Sequence, residues 1–92
     1  MTIMFADISG STKLFEARGD LAARSITSAI LAALGEIAVR HAGRVIKHIG
    51  DEIMCTFPGA MNALHAATEM QRRVANDPAW QRDRLAMRIG LN

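Results

Sequence analysis

The stretch Ile46 to Met54 reads Ile-Lys-His-Ile-Gly-Asp-Glu-Ile-Met, and it decides how the rest of the sequence is interpreted. Two apolar runs typical of β-strands meet there around Gly50-Asp51, with no proline between them. Glycine followed by aspartate at such a junction favours a tight turn. The stretch is therefore predicted to form a β-hairpin with the carboxylate of Asp51 at its tip.

A second aspartate stands at the end of the first apolar run. Asp7 follows Met1 to Ala6 and precedes Ile-Ser-Gly-Ser-Thr, small polar residues that lead into a helix-like segment. Free backbone N–H groups at a helix start bind phosphate, and glycine allows close approach to the backbone. The turn Ser9 to Thr12 is therefore a candidate phosphate site. It is not a Walker loop, because no Gly-Lys-Ser or Gly-Lys-Thr follows a glycine at the required spacing.

The composition favours some classes of protein over others. Half of the 92 residues are hydrophobic and the net charge is only +2, so one small folded domain is expected. The arginines are scattered and aromatic residues are few, which argues against nucleic-acid binding. The single cysteine, Cys55, lies in a predicted strand, which indicates a buried thiol and a reducing, cytoplasmic compartment. No apolar run approaches the roughly 20 residues that cross a bilayer, so any membrane anchor is expected outside this segment.

Hydrophobic periodicity predicts four strands and three helices. The first strand, at 2–7, is expected to be buried on both faces, and a short helix follows that is capped by Ser11 or Thr12 and stopped at Gly19. A longer helix is capped by Asp20 and has Gly43 just past its end. The remaining elements are strands Val45 to Ile49 and Ile53 to Phe57, a helix from about Ala60 to Val74, and a strand over 85–91. The order βααββαβ predicts an α+β fold with a ferredoxin-like or palm-type core. In that fold the helices pack on one face of an antiparallel sheet.

The sequence also predicts which side chains fill the core. Phe5 and Phe57 are expected there because both lie in apolar strand runs. The buried stripe of the second helix is predicted at Ile26, Ile30, Leu34 and Ile37, and that of the third at Ala60, Leu64, Ala67, Gln71 and Val74.

The predicted sheet brings Asp7 and Asp51 together, because the first strand can lie beside the hairpin. Either aspartate alone is more often part of turn chemistry than a ligand. Magnesium, however, prefers a few carboxylates plus substrate phosphate oxygens, so this pair beside an open Gly-Ser-Thr turn suits a metal–nucleotide complex. Lys47 points either to solvent or into the same cleft. Glu52 is expected on the opposite side of its strand from Asp51, in solvent, and the three histidines are expected to be too scattered for a zinc site.

Two motifs of the chain, Phe5 to Thr12 (Phe-Ala-Asp-Ile-Ser-Gly-Ser-Thr) and Lys47 to Met54 (Lys-His-Ile-Gly-Asp-Glu-Ile-Met), closely resemble the two metal-site motifs of the class III adenylate/guanylate cyclase catalytic domain. Their separation fits that family as well. The Ala-Leu-His-Ala-Ala segment and the closing Met-Arg-Ile-Gly-Leu-Asn look like the family's next helix and strand. The resemblance implies that residues 1–92 are the N-terminal part of such a domain.

The same resemblance implies an adenylate cyclase that converts ATP to 3′,5′-cyclic AMP and pyrophosphate in signal transduction. Asp7 and Asp51 would hold two Mg²⁺ or Mn²⁺ ions, with the Ile8 carbonyl as a further ligand, so that the ribose 3′-hydroxyl can attack the α-phosphorus. The backbone of three residues in the turn would hold phosphates: Gly10, Ser11 and Thr12.

Lys47 stands where adenylate cyclases of the family typically carry a base-reading lysine and guanylate cyclases carry a glutamate. An ammonium group can donate a hydrogen bond to adenine N1, whereas guanine N1–H needs an acceptor. Lys47 therefore favours ATP as the substrate.

The family's active site lies between two catalytic domains, which implies a head-to-tail homodimer, with regulatory domains outside this segment. The transition-state asparagine and arginine and the second base-contacting residue of the family are not in this segment, which is therefore predicted to bind metal but to turn over very slowly alone. Other readings stay open. They are a guanylate cyclase, a non-catalytic cyclase-like dimerisation or regulatory domain, another palm-type enzyme such as a dinucleotide cyclase or polymerase, and a ferredoxin-like binding domain without metal.

Overall fold

A computed structural model describes all 92 residues and contains four strands and four helices. In chain order these are β1 Thr2–Ser9, α1 Ser11–Arg18, α2 Asp20–Arg40, β2 Arg44–Ile49, β3 Glu52–Phe57, α3 Ala60–Ala75, α4 Pro78–Gln81 and β4 Ala86–Leu91. The predicted βααββαβ order and the α+β class are confirmed, with the short helix α4 as an addition.

The strands form one antiparallel sheet in the order β2-β3-β1-β4, so the first strand of the chain is central. The helices cover one face of this sheet, and we call the uncovered side the open face. Along β1, Met4, Ala6 and Ile8 are buried under the helices, while Phe5 and Asp7 lie on the open face. The expectation that this strand is buried on both faces is wrong, because helices pack on one side only.

The core is a single cluster of 20 buried hydrophobic residues between the sheet and the helices. Phe57 is buried in it as predicted, but Phe5 is exposed on the open face. In α2 the predicted stripe is confirmed at Ile30, Leu34 and Ile37, whereas Ile26 is only partly buried.

The buried face of α3 differs from the predicted one. It consists of Ala63, Ala66, Met70 and Val74, of which only Val74 was expected. Leu64, placed in the predicted stripe, is half exposed. Both sets of residues have helical spacing. Because α3 is rich in alanine, either of its faces could be taken as the apolar one from the sequence. The position of Met70 under the sheet decides between them.

Glycines, not side-chain caps, begin the first two helices. Gly10 precedes α1 and Gly19 precedes α2, and neither helix start has a side-chain cap. The predicted capping roles of Ser11, Thr12 and Asp20 are therefore wrong, since Ser11 and Asp20 are already the first residues of their helices. The left-handed backbone at Gly10 (φ 95°) explains why a glycine stands there.

The helix α4 was not predicted, because the sequence around Trp80 reads as a polar connection. The Asp77 carboxylate accepts hydrogen bonds from the backbone N–H groups of Ala79 and Trp80, and Pro78 occupies the first helical position. A hydrogen bond from Arg73 lowers the pKa of Asp77. The Trp80 ring is buried beneath the Arg73 guanidinium, 4.4 Å from its centroid.

The helix α2 is long and apolar enough, by length and composition, to cross a membrane, contrary to the sequence-based expectation that no segment is. Its buried stripe instead packs inside the fold, since seven of its residues belong to the buried set. The helix that covers the core of a small domain meets the same criteria of length and composition.

The thiol of Cys55 is fully buried, as predicted, and burial raises its pKa from 9.0 to about 11. The folded state keeps its proton in a pH range where the unfolded state releases it, so the free energy of unfolding is expected to fall as pH rises from 9 to about 11. We expect a loss of up to about 2 kcal/mol. Urea titrations of the wild type and of Cys55→Val at several pH values measure this, because valine keeps the volume without the titrating group. Equal pH slopes for the two proteins would contradict the assignment.

Candidate active site

Asp7 lies on β1, and Asp51 lies in the turn that precedes the adjacent strand β3, at the same end of the sheet. The register of β1 and β3 pairs Asp7 with Glu52, and the Ile8 N–H donates a hydrogen bond to the Asp51 carbonyl at 3.2 Å. The backbones of the two aspartates are thus diagonal neighbours where β1 meets the hairpin. Convergence of their carboxylates on a shared ion stays a prediction.

The hairpin between β2 and β3 turns through two residues, Gly50 and Asp51, since Ile49 pairs with Glu52. Gly50 has φ 58°, and Asp51 has no positive φ. Glycine at the first central position with a positive φ is the pattern of a type II′ turn, which suits the twist of paired strands. The Asp51 carboxylate is half-buried and has no hydrogen-bond or ion-pair partner within the chain. It is therefore available to an external ligand.

A cleft of about 480 Å³ opens at the start of α1. It is lined by Ile8, Ser9, Gly10, Ser11, Thr12, Lys13, Asp83, Arg84 and Arg88. The first main-chain hydrogen bond within α1 joins the Leu14 N–H to the Gly10 carbonyl at 3.2 Å, and no side chain caps the helix. The N–H groups of Ser11, Thr12 and Lys13 thus precede the ladder, as a phosphate site at a helix start requires.

Three cationic side chains line the same cleft, and the sequence analysis assigned a role to none of them. Besides Lys13, Arg84 and Arg88, the lining of the cleft contains one carboxylate, that of Asp83, which is paired with Arg18 at 2.9 Å. The surplus of positive charge in the lining favours an anionic ligand. Alternation of apolar side chains along residues 85–91 predicts Arg88 on the exposed side of the last strand, but nothing in the sequence shows which strand lies next to β4.

Arg88 connects the cleft to the first aspartate. Asp7 and Arg88 are register partners on β1 and β4, and the Arg88 Nη2 donates to Asp7 Oδ2 at 2.8 Å. The Arg88 side chain is 75% exposed and that of Asp7 is 30% exposed. This exposed ion pair adds little to stability. It does place a guanidinium between the carboxylate and the phosphate-sized cleft.

Glu52 lies on the open face, as Asp7 does. The two residues are direct cross-strand partners, and such partners project from the same side of a sheet. Glu52 is only partly exposed and lies within the sequence motif of Asp51. Its expected position opposite Asp51 stays a prediction, because Asp51 belongs to the turn and not to the strand.

Lys47 is exposed on the edge strand β2 and lies outside the cleft. It pairs with Met54, which in turn pairs with Phe5, so all three side chains share the open face with Asp7. Of the two orientations considered, the structure shows the exposed one, on the face that carries Asp7.

Two of the three histidines are closer together than the sequence suggests. The rings of His41 and His65 lie 6.5 Å apart edge to face, and His41 Nε2 contacts Glu69 Oε1 at 2.8 Å. No group of three or more His, Cys, Asp or Glu side chains in the chain is arranged to hold a metal ion.

A divalent ion at the aspartates would therefore take few ligands from the protein. The two carboxylates and the Ile8 carbonyl are hard oxygen donors, the type that Mg²⁺ and Mn²⁺ prefer over nitrogen and sulfur. Mg²⁺ usually completes its shell with water and substrate phosphate oxygens. The neighbouring cleft with its free N–H groups and cations is placed to hold such phosphates. The chemistry of these oxygen donors thus fits a divalent ion, which Asp7 and Asp51 would hold.

These features define a class of protein: a ferredoxin-like palm fold whose central strand and adjoining hairpin carry one aspartate each beside an anion cleft. The family model for the adenylate and guanylate cyclase catalytic domain matches residues 1–92. The chain belongs to this family.

Individual relatives agree with this assignment. An adenylate cyclase of Anabaena cylindrica is 38% identical over 74 residues, which are 78% of this chain and 15% of that protein. The adenylyl cyclase CyaB from P. aeruginosa superposes with a TM-score of 0.84 at 25% identity, covering 99% of this chain and 54% of that one. The dimeric guanylyl cyclase domain of RhoGC from Blastocladiella emersonii superposes with a TM-score of 0.86 at 20% identity, covering 99% and 55%. The last similarity shows the fold alone.

The chain spans less than a fifth of the Anabaena cyclase and about half of the two solved cyclase chains. The match of the family model to residues 1–92 establishes the family of the chain. The choice between ATP and GTP depends on the site residues.

Proposed function

We propose that this chain is the N-terminal, metal-binding part of a class III cyclase domain that converts ATP to 3′,5′-cyclic AMP and pyrophosphate. The observation that carries the proposal is the hydrogen bond between Ile8 and Asp51, which joins the two aspartate-bearing elements beside an anion cleft. Family membership supplies the reaction class.

The residues of the chain have two kinds of role: some hold the metal ions and others position the phosphates. Asp7 and Asp51 provide the carboxylates for two Mg²⁺ or Mn²⁺ ions, with the Ile8 carbonyl beside them. Those ions, when bound, would favour deprotonation of the ribose 3′-hydroxyl and offset the charge of the triphosphate. The N–H groups of Gly10, Ser11 and Thr12 orient the phosphates at the start of α1. Glu52 raises the negative charge on the face where cations are to bind.

Lys47 is proposed to read the base. It is exposed, has no ion-pair partner, and lies on the open face two residue pairs further from the hairpin tip than the Asp7–Glu52 pair. An ammonium group there can donate to adenine N1, which accepts, whereas guanine presents a donor at N1. This supports ATP over GTP.

Replacing Lys47 with glutamate is expected to erode the preference for ATP. Loss of a donor to adenine and gain of an acceptor for guanine should lower the ratio of kcat/KM for ATP to that for GTP by about 10-fold or more. The measurement is a cyclase assay with both nucleotides on the chain extended to full domain length. Arg44→Glu is the matched control, since Arg44 is an exposed cation on the same strand. An unchanged ratio in Lys47→Glu, or an equal change in Arg44→Glu, would remove Lys47 from base reading.

Assembly is proposed to be a head-to-tail homodimer, with the remaining catalytic groups supplied by parts of the protein outside this chain. The RhoGC cyclase domain forms a non-canonical dimer. The open face here carries exposed apolar side chains at Phe5, Ile46 and Ile49. An uncovered apolar face is typical of a surface used for association. We place the domain in the cytoplasm, because its cysteine is unpaired and buried.

The test of the function is cyclase assay of the full-length domain with ATP and GTP. We expect cyclic AMP from ATP. A domain that dimerises without forming either cyclic nucleotide would instead support the non-catalytic regulatory reading.

A further inference from the structure

The ion pair between Asp7 and Arg88 suggests how metal binding is controlled. The two residues are register partners in the β1–β4 ladder, so their Cβ atoms are held within roughly 5.5 Å by the backbone. The guanidinium occupies Oδ2 of Asp7 at 2.8 Å, and Oδ1 has no hydrogen-bond partner in the chain. A divalent cation that approaches Asp7 therefore meets a carboxylate of which one oxygen is already bound to a guanidinium, whose positive charge offsets its negative charge.

The charges on either side of Asp7 differ in sign. Glu52 on β3 is its partner on one side, and Arg88 on β4 is its partner on the other. Glu52 favours a cation at Asp7, and Arg88 opposes it by Coulomb repulsion and by competing for the same oxygen. At contact distance these effects amount to about a fivefold change in affinity even at the dielectric constant of water.

Arg88 can also leave Asp7 without leaving the site. Its side chain is 75% exposed and lines the cleft at Gly10, Ser11 and Thr12. An anion in that cleft attracts the guanidinium and releases Asp7 Oδ2.

We propose that Arg88 is an internal counter-ion that competes with the divalent cation for Asp7, so that metal binds weakly until an anionic phosphate group in the cleft draws the guanidinium away. The inference rests on the proposed function, since it takes Asp7 as a metal ligand. Linkage makes the effect reciprocal: an anion tightens metal binding, and metal tightens anion binding by the same factor. The pair thereby disfavours binding of free cation without substrate.

The test measures Mn²⁺ binding directly, by the electron paramagnetic resonance signal of free Mn²⁺, with no turnover involved. We expect Arg88→Gln to bind Mn²⁺ alone about fivefold more tightly than the wild type. Arg88→Lys, which keeps the charge, should stay within about twofold of the wild type. Arg72→Gln removes an exposed arginine from α3 and should leave the affinity unchanged. Inorganic phosphate should tighten Mn²⁺ binding in the wild type and not in Arg88→Gln.

The outcomes separate this inference from the proposed function. Equal or weaker Mn²⁺ binding by Arg88→Gln, with binding that still depends on Asp7, overturns the counter-ion role and leaves the metal site intact. Mn²⁺ binding that Asp7→Asn does not weaken in either background overturns both. An equal response of the wild type and Arg88→Gln to phosphate overturns the coupling. Because Arg88 is exposed, its substitution leaves the core unchanged.

Discussion

Replacing Asp51 with alanine is expected to lower cyclic AMP formation by about 10³-fold in the full-length domain. In the proposed function this carboxylate is one of the two that hold the metal ions, and metal ions contribute several kcal/mol of charge stabilisation to phosphoryl chemistry. Folding should survive, since Asp51 is a turn residue without side-chain partners and the turn depends on the positive φ of Gly50. The assay is the rate of cyclic AMP formation at saturating Mn²⁺ and ATP.

Two comparisons make this result interpretable. Asp51→Asn keeps the shape and removes the charge, so it should lose nearly as much activity as the alanine variant. Glu36→Ala removes an exposed carboxylate from α2, on the helical side of the sheet, and should retain wild-type activity. Robust cyclic AMP formation by the Asp51→Ala enzyme would refute the metal assignment.

Replacing Gly43 with alanine is expected to lower the free energy of unfolding by about 3 kcal/mol. A Cβ atom at this position would lie 2.4 Å from Cε1 of Phe57 and 2.8 Å from the carbonyl oxygen of Ala38. Phe57 is a fully buried core side chain and Ala38 belongs to the last turn of α2, so neither can move away cheaply. Urea unfolding followed by circular dichroism measures the loss.

The neighbouring residue provides a matched control of opposite sign. Ala42 has φ 64°, a left-handed conformation that alanine adopts at a cost and glycine adopts freely. Ala42→Gly should therefore unfold with a free energy equal to the wild type or higher by about 0.5 kcal/mol. If Gly43→Ala were as stable as Ala42→Gly, the close packing of Phe57 against the end of α2 would be wrong.

The elements that the sequence predicted well are those that depend on local chemistry. The hairpin at Gly50-Asp51 and the ends of α3 and β3 follow from glycine, proline and short apolar runs, and the structure has them within a few residues. The helix α4 was not predicted, because its capping aspartate and proline are equally typical of the residues that follow the end of a helix such as α3.

Features that depend on which element covers which face could not be predicted in the same way. Phe5 reads as a core residue, but the helices lie on the other side of β1. The buried face of α3 was misplaced because its alanines give no contrast between sides. Arg88 escaped notice in the site because its partner Asp7 is 81 positions away, a pairing that only the strand order reveals. The motifs could be found because their residues are neighbours in the sequence. The Arg88 side chain that pairs with Asp7 could not, because it is distant in the sequence.

The placement of β1 in the middle of the sheet has a consequence for how the protein is made. β1 is synthesised before both of its neighbours, since β3 begins at Glu52 and β4 at Ala86. At about 5–20 residues per second, several seconds pass between the synthesis of β1 and that of β4. During that interval β1 lacks at least one of its sheet neighbours, so chaperone capture is expected at this apolar strand until β4 has been made.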